Sequence, residues 1–216
     1  HHEVRISGCV VENNRAFLRG GAVGISGDYP VTLEGCLITG NSAAEGSAVS
    51  ISDAGGNSRP VLRDCTITGN RVPGGYNGAI HYMGRAGMVL DGDIAMEGNL
   101  AADGAGCDIS FVYAEAAPVS LGEGFRSPSV FALGGSDRIV SGKWLIDASS
   151  WGKEADAGQF VWSGDNYCTE ARDGDIYLSD VPGRYILFYD ANNGEIDFCE
   201  DPERYTSGEP AVAAGW

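Results

Sequence analysis

Asp64 and Asp93 stand 29 residues apart and open two phrases of one kind, DCTITGN and DIAMEGN. Two carboxylates held about 5–10 Å apart across a sugar ring can hydrolyse a glycosidic bond. A pair recurring with a structural period is therefore the first chemistry to weigh. Glu34, Arg63 and Gly92 would form the neighbouring outward row. A polysaccharide lyase would add Ca²⁺ and a basic group beside its carboxylates. Arg59, Arg63, Arg71 and Arg85 are at hand, but lysine is absent from residues 3–142. His81 has no Ser or Cys partner visible in the sequence for nucleophilic chemistry and reads as a surface strand residue.

Two further phrases could hold Ca²⁺. Asp190-x-Asn192-x-Gly194 begins like an EF-hand loop, yet its glycine comes one position early and Asp201 stands where a bidentate Glu belongs. It reads as a hairpin turn. Asp165, Asn166, Asp173 and Asp175 are a compositional candidate only. No cofactor or metal site is expected beyond these. For binding, the candidates are Trp144, Trp151, Trp162 and Tyr167. Aromatic rings of this kind either stack on sugars or pack a cap, and both readings stand at this point.

A repeat sets the framework on which these groups sit. GCVVENNRAFLRGGAV from Gly8, GCLITGNSAAEGSAV from Gly35 and DCTITGNRVPGGYNGAI from Asp64 are close copies, and DIAMEGNLAADGAGCDI from Asp93 is a fainter one. Their asparagines, Asn14, Asn41, Asn70 and Asn99, are spaced 27, 29 and 29 residues apart. A fixed period of this size marks a solenoid. Each copy holds short runs of alternating apolar residues (Val23/Ile25, Val49/Ile51, Ile80/Tyr82) between Gly-rich bends, with no helical stripe. The expected fold is all-β: a right-handed parallel β-helix whose coils stack about 4.8 Å apart. The 33 glycines among 216 residues fit its many bends. Asn at a β-helix corner can hydrogen-bond the turn backbone and its own copies above and below, a structural role.

Cys9, Cys36 and Cys65 keep the same beat and are expected as a stack of buried thiols, with Cys107 at another small packing position. Cys168 and Cys199 could be stacked thiols or a bridge. With 30 acidic against 14 basic residues the net charge is −16, a poor match for nucleic acid or anionic membrane. No run of roughly 18 apolar residues would span a bilayer.

The Gly-Gly-Ala-Val of residues 20–23, with Gly-Ser-Ala-Val at 46–49 and Asn-Gly-Ala-Ile at 77–80, resembles the Gly-Gly-Ala-(Ile/Leu/Val) motif of polymorphic outer-membrane proteins and autotransporter-type adhesin passengers. Cys-x-Ile-Thr-Gly-Asn at 36–41 and 65–70 is similar to the coils of large β-helical bacterial surface proteins. Where the first family has Phe-x-x-Asn, this chain has Val11, Ile38, Ile67 and Met96 before its asparagines. The resemblance covers roughly residues 4–112. It implies an extracellular or cell-surface segment, a rigid stalk or adhesin that meets a glycan or protein on a host or neighbouring cell. A carbohydrate-active enzyme built on the acidic rows is the alternative.

Residues 3–112 are thus expected to form regular coils. Residues 113–200 would be irregular coils or a β-rich cap, and 201–216 a tail or linker. Strand-like runs are placed at 129–133, 143–146, 159–162, 175–178 and 184–189, the fourth as a further rung. His1-His2 reads as a tag remnant, so the chain is expected to be a monomeric piece of a longer protein.

Overall fold

The computed structural model describes residues 3–27, 29–52, 59–74 and 78–181, together with the backbone of 187–191 and 195–199. The chain divides into two units, His1–Ser179 and Asp180–Trp216. The first is a parallel β-solenoid of about five turns.

Each early coil contributes one strand to each of three sheets. The first coil holds β1 (Val4–Ser7), β2 (Val10–Glu12) and β3 (Val23–Ser26), and the second β4 (Val31–Glu34), β5 (Leu37–Thr39) and β6 (Val49–Ser52). The third supplies β7 (Val61–Arg63), β8 (Thr66–Thr68) and β9 (Ile80–Tyr82). The fourth supplies β10 (Met88–Asp91), β11 (Ala95–Glu97) and β12 (Ile109–Phe111). Later coils carry strands on two sides only: β13 (Val119–Leu121) with β14 (Phe131–Gly135), then β15 (Trp144–Asp147) with β16 (Phe160–Trp162). The first sheet runs β1-β4-β7-β10-β13-β15, the second β2-β5-β8-β11, and the third β3-β6-β9-β12-β14-β16, all parallel. A hairpin, β17 (Tyr167–Arg172) and β18 (Asp175–Asp180), extends the first sheet. Its β18 runs antiparallel to β15, so Asp175–Asp180 is not the further parallel rung that its strand pattern had implied. In the second unit, Leu187–Ala191 and Glu195–Cys199 pair antiparallel, the hairpin expected there.

Period-2 alternation builds the core. Leu33, Leu62, Leu90 and Leu121 stack in register on the first sheet, and Ile38, Ile67 and Met96 on the second. Ile51, Tyr82 and Phe111 stack on the third, and all of these are buried. Aromatic rings take over where the repeat fades. Tyr82 meets Phe111 edge-on at 5.6 Å, and Phe131 stacks on Phe160 at 5.1 Å.

The Gly-Gly-Ala-Val motif has a steric basis. Gly20 has φ 62°, and a Cβ there would lie 2.6 Å from the Val23 carbonyl oxygen. A Cβ on Gly21 would run into the Ser47 carbonyl of the next coil. Ala22, Ala48, Ala79 and Cys107 then follow one another in register through N–H to carbonyl bonds of 2.9–3.0 Å.

The asparagines form a continuous ladder. Asn14, Asn41 and Asn70 each donate both backbone N–H and side-chain Nδ2 to Oδ1 of the next asparagine, at 2.9–3.1 Å. Nδ2 also donates to the preceding coil, Asn41 to Val11 O and Asn70 to Ile38 O. At the far end Asn99 Nδ2 donates to Asp108 Oδ1 at 2.8 Å, and Asp108 Oδ2 accepts the Ala132 N–H at 2.8 Å. Burial raises the Asp108 carboxyl above its ordinary range despite those two donors.

Cys9, Cys36 and Cys65 are free thiols in a row, but only Cys36 and Cys65 are buried as expected; Cys9, in the first coil, is exposed. Burial pushes Cys65 up to about 11 and Cys107 to about 12, so both are inert packing groups. Cys168 is half-buried in β17, and the Cys199 side chain lies outside the described residues.

Removing a carboxamide from the buried ladder orphans groups on two coils. Asn70→Ala should cost about 2–4 kcal/mol in urea unfolding, and Asn14→Ala, at the exposed end, about 1 kcal/mol. Equal losses would contradict a ladder whose stabilisation lies in its buried rungs. Asp108 makes stability depend on pH. An acid whose folded pKa is raised gives stability that is present below its unfolded value and falls as pH rises through the folded one. Between about pH 4 and 6 the unfolding midpoint of the wild type should fall relative to Asp108→Asn, and parallel profiles would refute this.

Candidate functional site

On the outward face of the first sheet, charged side chains pair between coils. Arg5 bridges to Glu34, and Arg63 pairs with Asp91 at 2.9 Å. Desolvation pushes the Asp91 pKa up. The Arg63 guanidinium and the N–H groups of Gly124 and Gly92 outweigh it and hold the carboxyl below its usual range.

Asp64 and Asp93 do come together, but in a different arrangement from the expected rows. The corner between β10 and β11 holds one residue more than that between β7 and β8. Arg63 consequently faces Asp91 in place of Gly92. Asp64, itself at φ 52°, turns its Oδ1 to accept the Asp93 N–H at 2.8 Å. Asp93 Oδ1 in turn accepts Arg126 Nε at 3.1 Å, with both side chains about three-quarters exposed. Asp64 therefore caps a corner, and Asp93 sits in an ion pair. Among the described residues no group of three or more His, Cys, Asp and Glu converges to hold a metal ion.

His81 is not the surface residue that its strand implied. It points outward on the third sheet, in register with Ser50 and Ser110, yet it is 3% exposed. Glu45 lies over it, Oε2 3.5 Å from Nε2, and also accepts Arg19 Nε at 2.5 Å. Burial lowers the His81 pKa, with Glu45 working against that and Arg19 with it.

The four aromatic candidates fall in separate places. Trp144 stacks on Tyr177 at 6.1 Å, with Arg172 on the other ring at 5.7 Å, and donates Nε1–H to Ile146 O at 2.9 Å. Trp162 and Tyr167 meet edge-on at 6.4 Å, half-buried against the core. Trp151 alone of the four is exposed, at 41%. It ends a single 3₁₀ turn, Ser149–Trp151, stopped by Gly152 in the left-handed conformation at φ 67°. That turn is pinned from the hairpin. Asp175 Oδ1 accepts the N–H groups of Ala148 and Ser149 at 2.8 Å, and Oδ2 accepts the Ser149 hydroxyl at 3.1 Å. The hairpin bend, Asp173 at φ 52° and Gly174 at φ 87°, has the two positive φ values of a type I′ turn. Its Gly174 carbonyl accepts the Ala155 N–H at 2.8 Å. Asp173 and Asp175, cation candidates by composition, thus sit in a hairpin bend and its buried brace.

Below the second sheet lies the feature that the sequence did not announce. The sheet stops at β11 because the next coil brings Pro128, which has no N–H for a ladder. Ser129 Oγ accepts the Met96 N–H at 3.1 Å where a strand carbonyl would otherwise stand. Two open depressions of about 440 Å³ each occupy this side, the first lined by Thr66, Asp93, Ile94 and Pro128, the second by Phe125, Lys153, Glu154 and Gln159. Arg126 and Ser127 line both, so the two depressions adjoin, and the pair is termed the trough. Gln159 Nε2 donates to Ser127 O at 3.1 Å, and Lys153 Nζ lies 3.5 Å from Phe125 O. Trp151 precedes Lys153 by two residues, across the left-handed Gly152. Pro128, where the Asn repeat lapses, was the one signal in the sequence that could have located it.

Compared with protein-family models, curated proteins and solved structures, the chain gives no match. The Gly-Gly-Ala-Val likeness therefore stands on coil stereochemistry, and it identifies a β-solenoid.

His81 offers a check on this surface. A base whose folded pKa is lowered loses stability as pH falls below its ordinary value, here 6.5. Acidification from about pH 7 to 5 should destabilise the wild type more than His81→Gln, read as the shift in thermal midpoint. A wild type that gains relative to His81→Gln on acidification would mean that the Glu45 contact dominates burial.

Proposed function

We propose that this chain is a segment of a non-enzymatic extracellular surface protein, a rigid β-solenoid that mediates attachment to a glycan-bearing host or neighbouring cell surface. The observation that carries this reading is the open trough at Arg126, together with exposed Trp151 two residues before Lys153 of its lining. A hydrolytic reading needs two carboxylates facing each other across a substrate. Asp64 is engaged by a backbone N–H and Asp93 by Arg126, which favours binding over turnover. The acidity, net −16, supports a soluble surface-displayed segment that avoids nucleic acid and anionic lipid.

The test is incubation with mucin-type, plant and bacterial polysaccharides, with and without Ca²⁺. Retained protein is read together with newly formed reducing ends and unsaturated products. Retention without product is the expected result. Product would establish the carbohydrate-active alternative, and neither retention nor product would reduce the segment to a spacer.

A further inference from the structure

The trough's make-up narrows what it would hold. It crosses the coils from Thr66 to Lys153, three stacking steps or about 14 Å along the solenoid axis. Its ionic groups balance: Arg126 and Lys153 against Asp93 and Glu154. Groups of both signs in one open channel suit hydroxyls, which donate to carboxylates and accept from guanidinium and ammonium groups. A polyanion would meet these same carboxylates and the field of a chain with net charge −16.

Two residues before Lys153 of this channel stands a tryptophan that is exposed yet carried on a tightly bonded turn. The turn that carries it buries none of its own residues. Asp175, 5% exposed, fixes both N–H groups and the hydroxyl at its start, and the Lys153 N–H closes back on Ala148 O at 3.1 Å. Trp151 and the Lys153 backbone therefore belong to one hydrogen-bonded turn. A wall fixed before the ligand arrives lowers the ordering cost of binding.

We infer that the trough takes an uncharged, hydroxyl-rich glycan segment lying along the solenoid axis with a sugar ring stacked on Trp151, and that Asp175 is the positioning residue for that tryptophan. This rests on the attachment reading above.

The experiment uses the whole chain and measures dissociation constants for neutral glucan, mannan and galactan oligosaccharides beside polygalacturonate and heparin. A neutral glycan should bind best. Trp151→Ala should weaken it about tenfold with an unchanged melting temperature. Arg126→Ala should weaken it as well, and Trp144→Phe should leave it alone. Asp175→Asn should weaken binding in wild type but add nothing in a Trp151→Ala background, since positioning acts through that ring. Additive losses would overturn the role of Asp175. If Asp175→Asn fails to fold, Trp151→Ala and Arg126→Ala still decide the site. Preference for polygalacturonate or heparin, or neutral binding indifferent to Trp151→Ala, would overturn the inference and leave the attachment reading standing. Binding to no glycan would overturn both.

Discussion

A parallel solenoid must turn its chain at every corner, and there the backbone N–H leaves the strand ladder while still inside the core. The asparagine column answers that constraint. Each carboxamide oxygen takes the corner N–H and the side-chain N–H₂ of the coil before it, while its own nitrogen returns a bond to that coil's backbone. A buried N–H without a partner costs about 1–3 kcal/mol. The ladder therefore stabilises each corner and sets the axial register of its neighbours. It also has a direction, with donors toward the C-terminal coils, so its last oxygen-seeking amide needs an acceptor. Asp108 supplies it, a carboxyl group buried because the ladder ends there.

The coils beyond Asp108 are shaped by that ending. With no asparagine at the next corner, Ser129 meets β11 by a side-chain oxygen and Pro128 forbids a fourth-to-fifth strand pairing. The second sheet closes, the other two continue, and the trough opens on the side that lost its strand. Structural termination and the candidate site are thus one event seen from inside and outside.

The same event divides the chain into a legible and an illegible part. Rows that repeat chemically, the asparagines and cysteines, could be read because each rung faces its own copy. Beyond Phe111 the strand runs at 129–133, 143–146, 159–162 and 175–178 were still legible, but their stacking was not, since Phe125, Phe131 and Phe160 fill the core with single rings that keep no fixed step. Val119–Leu121 and Tyr167–Arg172 carry no periodic signal for that reason. The Asp173-Gly174 pair was a hairpin signal that the apparent rung after it concealed. One inserted residue, at Gly92-Asp93, was enough to move Asp91 opposite Arg63 and dissolve the acidic rows that a strict 29-residue step implied.

The aromatic rings are distributed by the same rule. Strand residues alternate between core and surface, and on an intact sheet the outward ones stand over neighbours about 4.8 Å above and below. Trp144 obeys this by stacking on Tyr177, and Trp162 by leaning on Tyr167. Trp151 lies outside any strand, on a turn that exists because its side of the coil has no strand to form, so no stacked coil covers it. Vertical pairing of like side chains takes up much of the outward face of a regular parallel sheet. The trough lies where that pairing stops, at the coil in which the asparagine ladder has already ended.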